Sequence, residues 1–207
     1  MTKLPEKTLY IIRHGETEFN RMNIVQGSGV DTDLNITGND QAKKFHAFYH
    51  HLVFDKIYCS ALKRTRQSVQ PFIDSGIEYT VLPELNEISW GCIEGKPQSE
   101  EQKLHYLSVV KKWNAGELDE KIPEGESPNE MQQRQKIALK HIMGNPSEKN
   151  VLICMHGRAL KSFLCLLLNM PLTKMEEFLH TNLGLYMLKY NGSDFILMKQ
   201  NDTEHLK

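Results

Sequence analysis

The sequence predicts an α/β fold in which helices cover both faces of a mainly parallel sheet, a three-layer αβα sandwich. Short apolar runs of strand length alternate along the chain with longer segments of helical period, which favours this class. The runs at residues 9–12 and 151–155 are apolar throughout, as is typical of strands buried on both faces. The 207 residues, 40% of them hydrophobic, suit a single domain over residues 1–207 with a small insertion.

Strands and helices alternate in the first part of the chain. The run at residues 9–12 predicts a buried strand that ends at Arg13. Residues 14–36 show no clear period and contain several glycines, so we predict a long functional loop. Thr37 can cap a helix that continues to about residue 52. The elements expected next are a strand over residues 55–59, a helix over 62–73 and a weaker strand over 78–82.

Residues 83–128 interrupt this alternation. Glycines and prolines recur there, and only residues 100–113 have a helical period. We expect this stretch to be a small cap insertion over one edge of the main body. The elements expected after it are helices over residues 130–143 and 159–168, a strand over 151–155, and a hairpin of residues 185–190 and 195–199. The polar tail at residues 200–207 is predicted to be frayed.

Charge and composition exclude several classes of function. The formal net charge is −1, so the whole chain is not a basic nucleic-acid binder or a basic membrane-surface protein. The longest apolar run, residues 162–170, falls short of the about 20 residues that span a bilayer. No signal peptide is evident, and the four cysteines form no Cys-x-x-Cys pair. We therefore expect reduced thiols, a cytoplasmic location, and no nucleic-acid or membrane partner.

Two of the predicted strands end in a histidine–glycine pair. His14-Gly15 follows the first strand, and His156-Gly157 follows the fourth. One such histidine would be unremarkable, because a histidine at a strand end is more often a hydrogen-bonded structural residue. In a parallel sheet, however, both pairs lie at the carboxyl edge, where open α/β sheets bind ligands. Together with Arg13 beside the first pair, they predict a site for an anion that reacts.

The segment at residues 13–20 makes this prediction more specific. It reads Arg-His-Gly-Glu-Thr-Glu-Phe-Asn, and it resembles the signature of the histidine phosphatase superfamily, also called the phosphoglycerate mutase-like family. The likeness covers nearly the whole chain. The departures from the family pattern remove no catalytic group; they include Ala61, Thr65, Ile93 and Lys161.

The resemblance implies a role for each residue of the site. His14 would be the nucleophile that forms a phosphohistidine, and Glu87 would protonate the leaving group. Arg13, Arg64 and His156 would neutralise the charge of the phosphoryl group, so no metal ion is expected. The residues implied in substrate binding are Asn20, Gln26, Gly27 and Gly157.

Three functions remain open on the sequence. The first is a phosphatase that hydrolyses small phosphomonoesters, with a small phosphorylated metabolite as its partner and no cofactor. The second is a cofactor-dependent phosphoglycerate mutase, which would need 2,3-bisphosphoglycerate to prime it. The resemblance places the carboxylate-binding arginines of such mutases in a longer cap, whereas residues 96–124 contain no arginine, which favours the phosphatase.

The third function is a non-catalytic phosphate-binding module. It requires the loss of a catalytic residue, and none of those named above is lost. Arg158 remains open as a substrate contact. We expect the protein to be a monomer or a homodimer.

Overall fold

The computed structural model describes residues 6–207 and contains a six-stranded sheet. The strands, in chain order, are β1 (Lys7–Arg13), β2 (Lys56–Cys59), β3 (Tyr79–Val81), β4 (Asn150–Met155), β5 (Leu185–Tyr190) and β6 (Phe195–Asp202). They lie in the order β3-β2-β4-β1-β5-β6. The first three pairs in this order are parallel, and the β1–β5 and β5–β6 pairs are antiparallel. The predicted mainly parallel sheet is therefore confirmed, with the terminal hairpin at one edge.

Helices cover both faces of the sheet, as predicted. The helices, in chain order, are α1 (Glu18–Arg21), α2 (Ile36–Tyr49), α3 (Lys63–Asp74), α4 (Glu100–Ala115), α5 (Pro128–Met143) and α6 (Gly157–Leu167), and α2, α3, α5 and α6 pack on the sheet. Ile12 of β1 shares one core with Phe45 of α2 and Phe72 of α3. Its neighbour Ile11 shares the opposite core with residues of α5 and α6. Because successive side chains of a strand point to opposite faces, these two cores make the three-layer αβα sandwich.

Two features of the region after β1 differ from the prediction. Asn35, and not Thr37, caps α2, because its side chain accepts a hydrogen bond from the backbone N–H of Gly38 at 2.8 Å. The predicted loop at residues 14–36 contains the short helix α1, which Thr17 caps. Asparagine and threonine are both good cap residues, so the sequence alone does not decide between neighbouring candidates.

Residues 83–128 form the predicted cap. Two 3₁₀ turns, Pro83–Leu85 and Gly91–Ile93, precede α4. The rings of Trp90 and Trp113 stack with their centroids 5.5 Å apart, and both side chains are buried. They belong to the same apolar core as α5 and α6, and this packing orders a segment whose sequence is irregular.

The C-terminal tail is ordered, so the predicted fraying of residues 200–207 is wrong. β6 continues to Asp202, and the 3₁₀ turn Glu204–Leu206 follows it. His205 is only 4% exposed, and its ring centroid lies 4.9 Å from that of Phe45. Contact with a helix distant in sequence holds the tail in place, and the polar composition of the tail does not reveal that contact.

Two expectations about membranes and thiols can be compared with the described residues. Within residues 6–207, no helix has both the length and the apolar character that a membrane span needs. The cysteines are free thiols, and burial raises the pKa of Cys59 to about 11.

Candidate active site

The residues predicted for the site converge at the carboxyl ends of the parallel strands. His14 directly follows β1, His156 directly follows β4, and Glu87 lies just after the 3₁₀ turn that follows β3. A cavity of about 330 Å³ opens at this edge of the sheet. The predicted residues that line it are Arg13, His14, Asn20, Gln26, Glu87 and Gly157. The cavity therefore lies where open α/β sheets bind ligands.

His14 lines the cavity with one unprotonated ring nitrogen. Its Nδ1 lies 2.7 Å from the carbonyl oxygen of Gly15, which can only accept, so Nδ1 carries the proton and Nε2 the lone pair. Burial lowers the pKa of His14 well below its ordinary value of 6.5, and the charges of Arg64 and Arg13 lower it further. At neutral pH, His14 is therefore a neutral imidazole whose Nε2 can act as a nucleophile.

Contacts from three other segments fix the backbone around His14. The backbone N–H of Gly15 donates to Oγ of Ser68 in α3 at 2.8 Å, and Nδ2 of Asn182 donates to the carbonyl oxygen of His14 at 2.9 Å. A Cβ atom on Gly15 would lie 2.7 Å from the carbonyl oxygen of Gly38, so only glycine permits this approach to α2. The position of the imidazole is therefore set by packing as well as by the strand.

Arg13 lines the cavity and also has a buried donor without a partner among the described residues. Its Nη1 donates to the carbonyl oxygen of His180 at 2.9 Å and lies 3.3 Å from Nδ1 of the same residue. Its Nε is buried and has no hydrogen-bond partner among the residues that the structure describes. A buried guanidinium N–H without a partner is costly. An anion in the cavity would remove that cost.

Arg64 and His156 lie beneath His14, and both are 0% exposed. Nε of Arg64 lies 3.2 Å from Nδ1 of His156. Because a guanidinium only donates, His156 carries its proton on Nε2, which donates to Oγ of Ser60 at 2.7 Å. The ring centroids of the two histidines are 5.2 Å apart. Burial lowers the pKa of His156 well below 6.5, and Arg64 adds to the shift, so this ring is also neutral at pH 7.

Gly27 lies against Arg64, outside the residues that line the cavity, whereas Gln26 lines it. Nη2 of Arg64 donates to the carbonyl oxygen of Gly27 at 3.3 Å, and Nη1 donates to that of Val30 at 2.7 Å. Burial lowers the pKa of Arg64 to about 10, and the charge of Glu87 opposes the shift, so Arg64 remains a cation. His156 and these two carbonyl oxygens engage three of the five donors of Arg64, so two donors remain for a ligand.

The carboxylate of Glu87 lies at the N-terminus of α6. Its Oε2 accepts the backbone N–H of Arg158 at 3.0 Å, and its Oε1 accepts those of Ala159 and Ile88 at 2.8 and 3.0 Å. These three donors fix the orientation of the carboxyl group. Since Glu87 also lines the cavity, it can exchange a proton with a group bound there.

Arg134 of α5 holds the segment that carries Glu87, a contact that the sequence did not predict. Its guanidinium donates to the carbonyl oxygens of Glu84, Asn86 and Glu87 at 2.8, 2.8 and 3.1 Å. It also donates to both carboxylate oxygens of Glu126, at 2.7 and 2.8 Å. One side chain therefore joins α5 to residues 84–87, at the start of the cap.

The substitution Arg134→Met should destabilise the protein by about 2–3 kcal/mol, because it leaves Glu126 without its partner and frees three carbonyl oxygens. Urea unfolding measures this loss. The control is Arg66→Met, at an exposed position of α3, for which we expect a change within about 0.5 kcal/mol. Equal stability of the two variants would contradict the role assigned to Arg134.

His180 and Asn182 also belong to the site and were missed by the sequence reasoning. They lie in the irregular segment between α6 and β5, where neither period nor motif marks them. A Cβ atom on Gly157 would lie 3.2 Å from Nδ1 of His180, so the ring packs closely against the glycine. Oδ1 of Asn20 accepts hydrogen bonds from the backbone N–H of Thr17 at 3.2 Å and from Nδ2 of Asn182 at 3.3 Å. These two contacts fix the orientation of the Asn20 amide, so its nitrogen points away from both donors.

The metal-binding potential of the chain can be judged from its clusters of ligand residues. Across residues 6–207, no three His, Cys, Asp or Glu side chains are grouped so that they could hold a metal ion. The cations that line the cavity are Arg13 and Arg158, and Arg64 lies behind them.

The pKa shifts of His14 and His156 predict a result for histidine titration. In NMR spectra of the protein with ¹³C-labelled histidine, both rings should remain neutral from about pH 8 to about pH 6, because burial disfavours their charged form. The unfolded chain takes up these protons near pH 6.5, so the folded protein should lose stability as the pH falls below that value. His14→Ala assigns one of the two signals. A midpoint near 6.5 for the assigned signal would contradict the burial account.

The fold and the site together define a class of protein. It is an α/β protein in which a neutral strand-end histidine, arginines and a carboxylate surround a cavity suited to a reacting anion. The family model described as "Histidine phosphatase superfamily (branch 1)" matches residues 9–203. The chain belongs to the histidine phosphatase superfamily.

Some relatives of the chain are named as mutases and others as phosphatases. A protein of Erwinia tasmaniensis named "Probable phosphoglycerate mutase" is 28% identical over 210 residues, which cover 96% of this chain and 94% of that protein. The structure of phosphoserine phosphatase from Entamoeba histolytica in complex with 3-phosphoglyceric acid is 27% identical, with a TM-score of 0.83 and coverage of 97% of this chain and 100% of that one. YhfR of Bacillus stearothermophilus is 25% identical, with a TM-score of 0.85 and the same coverage.

Proposed function

We propose that the protein is a phosphatase that hydrolyses small phosphomonoesters through a phosphohistidine at His14. The observation that carries this proposal is the state of His14: a buried, neutral imidazole with its proton fixed on Nδ1 and its Nε2 unprotonated. Beside it, Nε of Arg13 is a buried donor that lacks a partner among the described residues and suits a phosphoryl oxygen. The phosphatase name of a structural relative supports the same reaction.

The proposed first step transfers the phosphoryl group to the histidine. Nε2 of His14 attacks phosphorus in line, the bond from phosphorus to the alcohol oxygen breaks, and Glu87, which enters this step in its protonated form, gives its proton to that oxygen. In the second step, Glu87 takes a proton from a water molecule, which attacks the phosphohistidine and releases inorganic phosphate. Glu87 acts at both steps because its carboxylate is fixed at the N-terminus of α6 and lines the cavity.

Other residues of the site are proposed to bind the phosphoryl oxygens. Arg13 and the amide nitrogen of Asn20 reach them directly, and Gln26 and the backbone N–H of Gly157 complete the cavity wall. Arg64, with two donors that are not engaged by protein groups, and His156, which Arg64 orients, are proposed to add positive charge and hydrogen bonds behind the phosphoryl group. No metal ion or other cofactor is required, since the arginines supply the positive charge.

A phosphoglycerate mutase is the second candidate, and one observation favours it. The sequence reasoning found no arginine in residues 96–124, yet the guanidinium of Arg158 from α6 lines the cavity and could hold a substrate carboxylate. A mutase would return the phosphoryl group from His14 to a second hydroxyl of the bound phosphoglycerate. The acceptor that reaches the phosphohistidine thus decides between the two reactions.

Phosphorus NMR distinguishes the two candidates. The protein receives 3-phosphoglycerate, a trace of 2,3-bisphosphoglycerate and no added metal, and a parallel sample receives an aryl phosphate. We expect inorganic phosphate to accumulate in at least one sample, and His14→Ala to produce none. Rapid formation of 2-phosphoglycerate with little free phosphate would instead establish the mutase. No reaction in either sample or with a wider panel of phosphomonoesters would reject both.

A further inference from the structure

We propose that Arg158 binds a second anionic group, a carboxylate or a further phosphate, on the alcohol part of the substrate. This inference rests on the proposed phosphatase function and names the substrates that the site prefers. They are phosphomonoesters whose leaving alcohol carries its own negative charge.

The position of Arg158 places it beside the leaving group. Its backbone N–H donates to Glu87, the residue proposed to protonate the leaving oxygen, at 3.0 Å. Its side chain lines the same cavity as His14 and Glu87, together with the cap residues Trp90 and Tyr106. The alcohol that leaves next to Glu87 therefore lies within reach of the guanidinium.

The guanidinium of Arg158 is held in a fixed orientation. Its Cζ lies 5.8 Å from the ring centroid of Trp90 and 5.5 Å from that of Trp113. Its Nη1 forms an ion pair with Glu176, and the side chain is only 9% exposed. A cation that is already immobilised loses little conformational freedom when it binds a ligand. Arg158 is therefore preorganised to bind a ligand, unlike an arginine whose side chain moves freely at the surface.

Donors of Arg158 remain available for a ligand. The guanidinium can donate five hydrogen bonds. Glu176 engages Nη1, and Nη2 lies 3.5 Å from the hydroxyl oxygen of Tyr106, at the outer limit of a hydrogen bond. An anionic oxygen in the cavity would be a much better acceptor than this hydroxyl.

The charges around Arg158 do not cancel. Glu176 pairs with Arg158 and also with Lys161, at 2.6 Å, so this three-residue cluster carries one net positive charge. Burial alone would raise the pKa of Glu176, but the charge of Arg158 and the hydrogen bond from Lys161 bring it down to about 2. Burial and the charge of Arg13 lower the pKa of His180, on the cavity wall, to about 4, so this residue adds no charge near pH 7.

A purely structural role for Arg158 predicts a different behaviour. If the side chain only joined α6 to the two tryptophans of the cap, its loss would impair all substrates equally. The test must therefore compare substrates that differ in the second anionic group and in nothing else that the site would contact.

Three matched pairs of phosphomonoesters meet this requirement. The first two are O-phosphoserine with O-phosphoethanolamine, and 3-phosphoglycerate with glycerol 3-phosphate; in each pair only the first member has the carboxylate. The third is propane-1,3-diol bisphosphate with its monophosphate, which tests a second phosphate. Each pair yields a ratio of kcat/KM values for the member with the second anionic group, called the charged member below, and the member without it.

The variants are Arg158→Gln, Arg158→Lys and the matched control Lys161→Gln. Lys161 pairs with the same Glu176 and is similarly buried, but it is not among the residues that line the cavity. We expect the native protein to prefer the charged member of at least one pair by about 10- to 100-fold, as a hydrogen-bonded ion pair provides. Arg158→Gln should reduce that ratio to below about 3, mainly by raising KM of the charged member. Lys161→Gln removes one charge of the cluster but leaves the guanidinium at the cavity, so it should lower the ratio by less than about two-fold.

Arg158→Lys separates binding from folding, since it keeps the positive charge beside the two tryptophans and removes the forked donors of the guanidinium. It should retain an intermediate ratio. The pair that responds identifies the second group as a carboxylate or a phosphate. A ratio near one in the native protein, a ratio that survives in Arg158→Gln, or an equal loss in Arg158→Gln and Lys161→Gln would each overturn the proposal.

Binding measurements keep this inference separate from the proposed function. In the His14→Ala background, calorimetric titration with the same pairs reports affinity without turnover. If the native protein hydrolyses neither these esters nor an aryl phosphate nor a wider panel of phosphomonoesters, the phosphatase proposal fails. A binding preference for the charged member that disappears with Arg158→Gln would still support the anion subsite, and the absence of such a preference would reject it.

Discussion

His14→Ala is expected to abolish turnover of every phosphomonoester that the native protein hydrolyses. The substitution removes the nucleophile, and no other residue that lines the cavity offers a comparable one in the same position. Covalent catalysis divides one difficult displacement into two easier ones, so its loss should lower kcat by roughly 10⁴-fold or more. Release of inorganic phosphate, followed with a sensitive coupled assay, measures the effect.

The control for this substitution is His50→Ala, which removes an exposed histidine at the end of α2. It should leave turnover within about two-fold of the native value, because surface substitutions away from the site have little effect. Substantial turnover by His14→Ala, in a preparation free of contaminating phosphatase, would mean that water or another group attacks phosphorus directly. In that case the phosphohistidine mechanism would be wrong.

Glu87→Gln is expected to discriminate between substrates by their leaving groups. An alkyl phosphate leaves as a strongly basic alkoxide, so losing the acid should slow its transfer by about 10²- to 10⁴-fold. A nitrophenyl phosphate leaves without a proton, so its kcat/KM, which reports the transfer to His14 and not the later attack of water, should fall by less than about ten-fold. Rates for a series of phosphate esters with graded leaving-group basicity provide the comparison.

The ratio between the substrate classes is the decisive readout for Glu87. The glutamine amide cannot accept the backbone N–H of both Arg158 and Ala159, so part of any loss comes from a weaker anchor at the start of α6. That part affects all substrates equally. Glu84→Gln, in the same turn but with its side chain outside the cavity lining, is the control and should leave the ratio unchanged. An equal loss for good and poor leaving groups would remove Glu87 from the role of acid.

The sequence predicted most of the architecture that positions this site, for a local reason. A strand buried on both faces is apolar over consecutive residues, as β4 is over residues 151–155, and the turn after it is marked by His156-Gly157. Both signals are contained within a few consecutive residues. The convergence of the two His-Gly pairs then follows from the parallel sheet.

The features that the sequence did not predict depend on contacts between distant segments. His180 and Asn182 reach the site from an irregular stretch, and Arg134 reaches Glu87 from the middle of a helix. The tail was wrongly expected to fray because the rings that hold His205 belong to α2. None of these contacts changes the local period or composition, so only the folded structure reveals them.

The binding of a substrate carboxylate also depends on contacts between distant segments. The resemblance places carboxylate-binding arginines in the cap, and residues 96–124 contain none. In the structure, the arginine that lines the cavity comes from α6, and the cap supplies the tryptophans that hold it. The sequence of the cap alone therefore does not reveal that α6 supplies the arginine at the cavity.

The central claim is that the phosphoryl group passes through His14 on its way to water, and rapid quenching tests it most directly. The protein is mixed with a ³²P-labelled phosphomonoester, quenched in alkali within milliseconds, and digested to locate the label. We expect up to one labelled phosphate per chain, on the peptide that contains His14, stable in alkali and lost in acid, and decaying as inorganic phosphate appears. Phosphate release with no labelled protein at any time under single-turnover conditions, or label on a peptide without His14, would contradict the account.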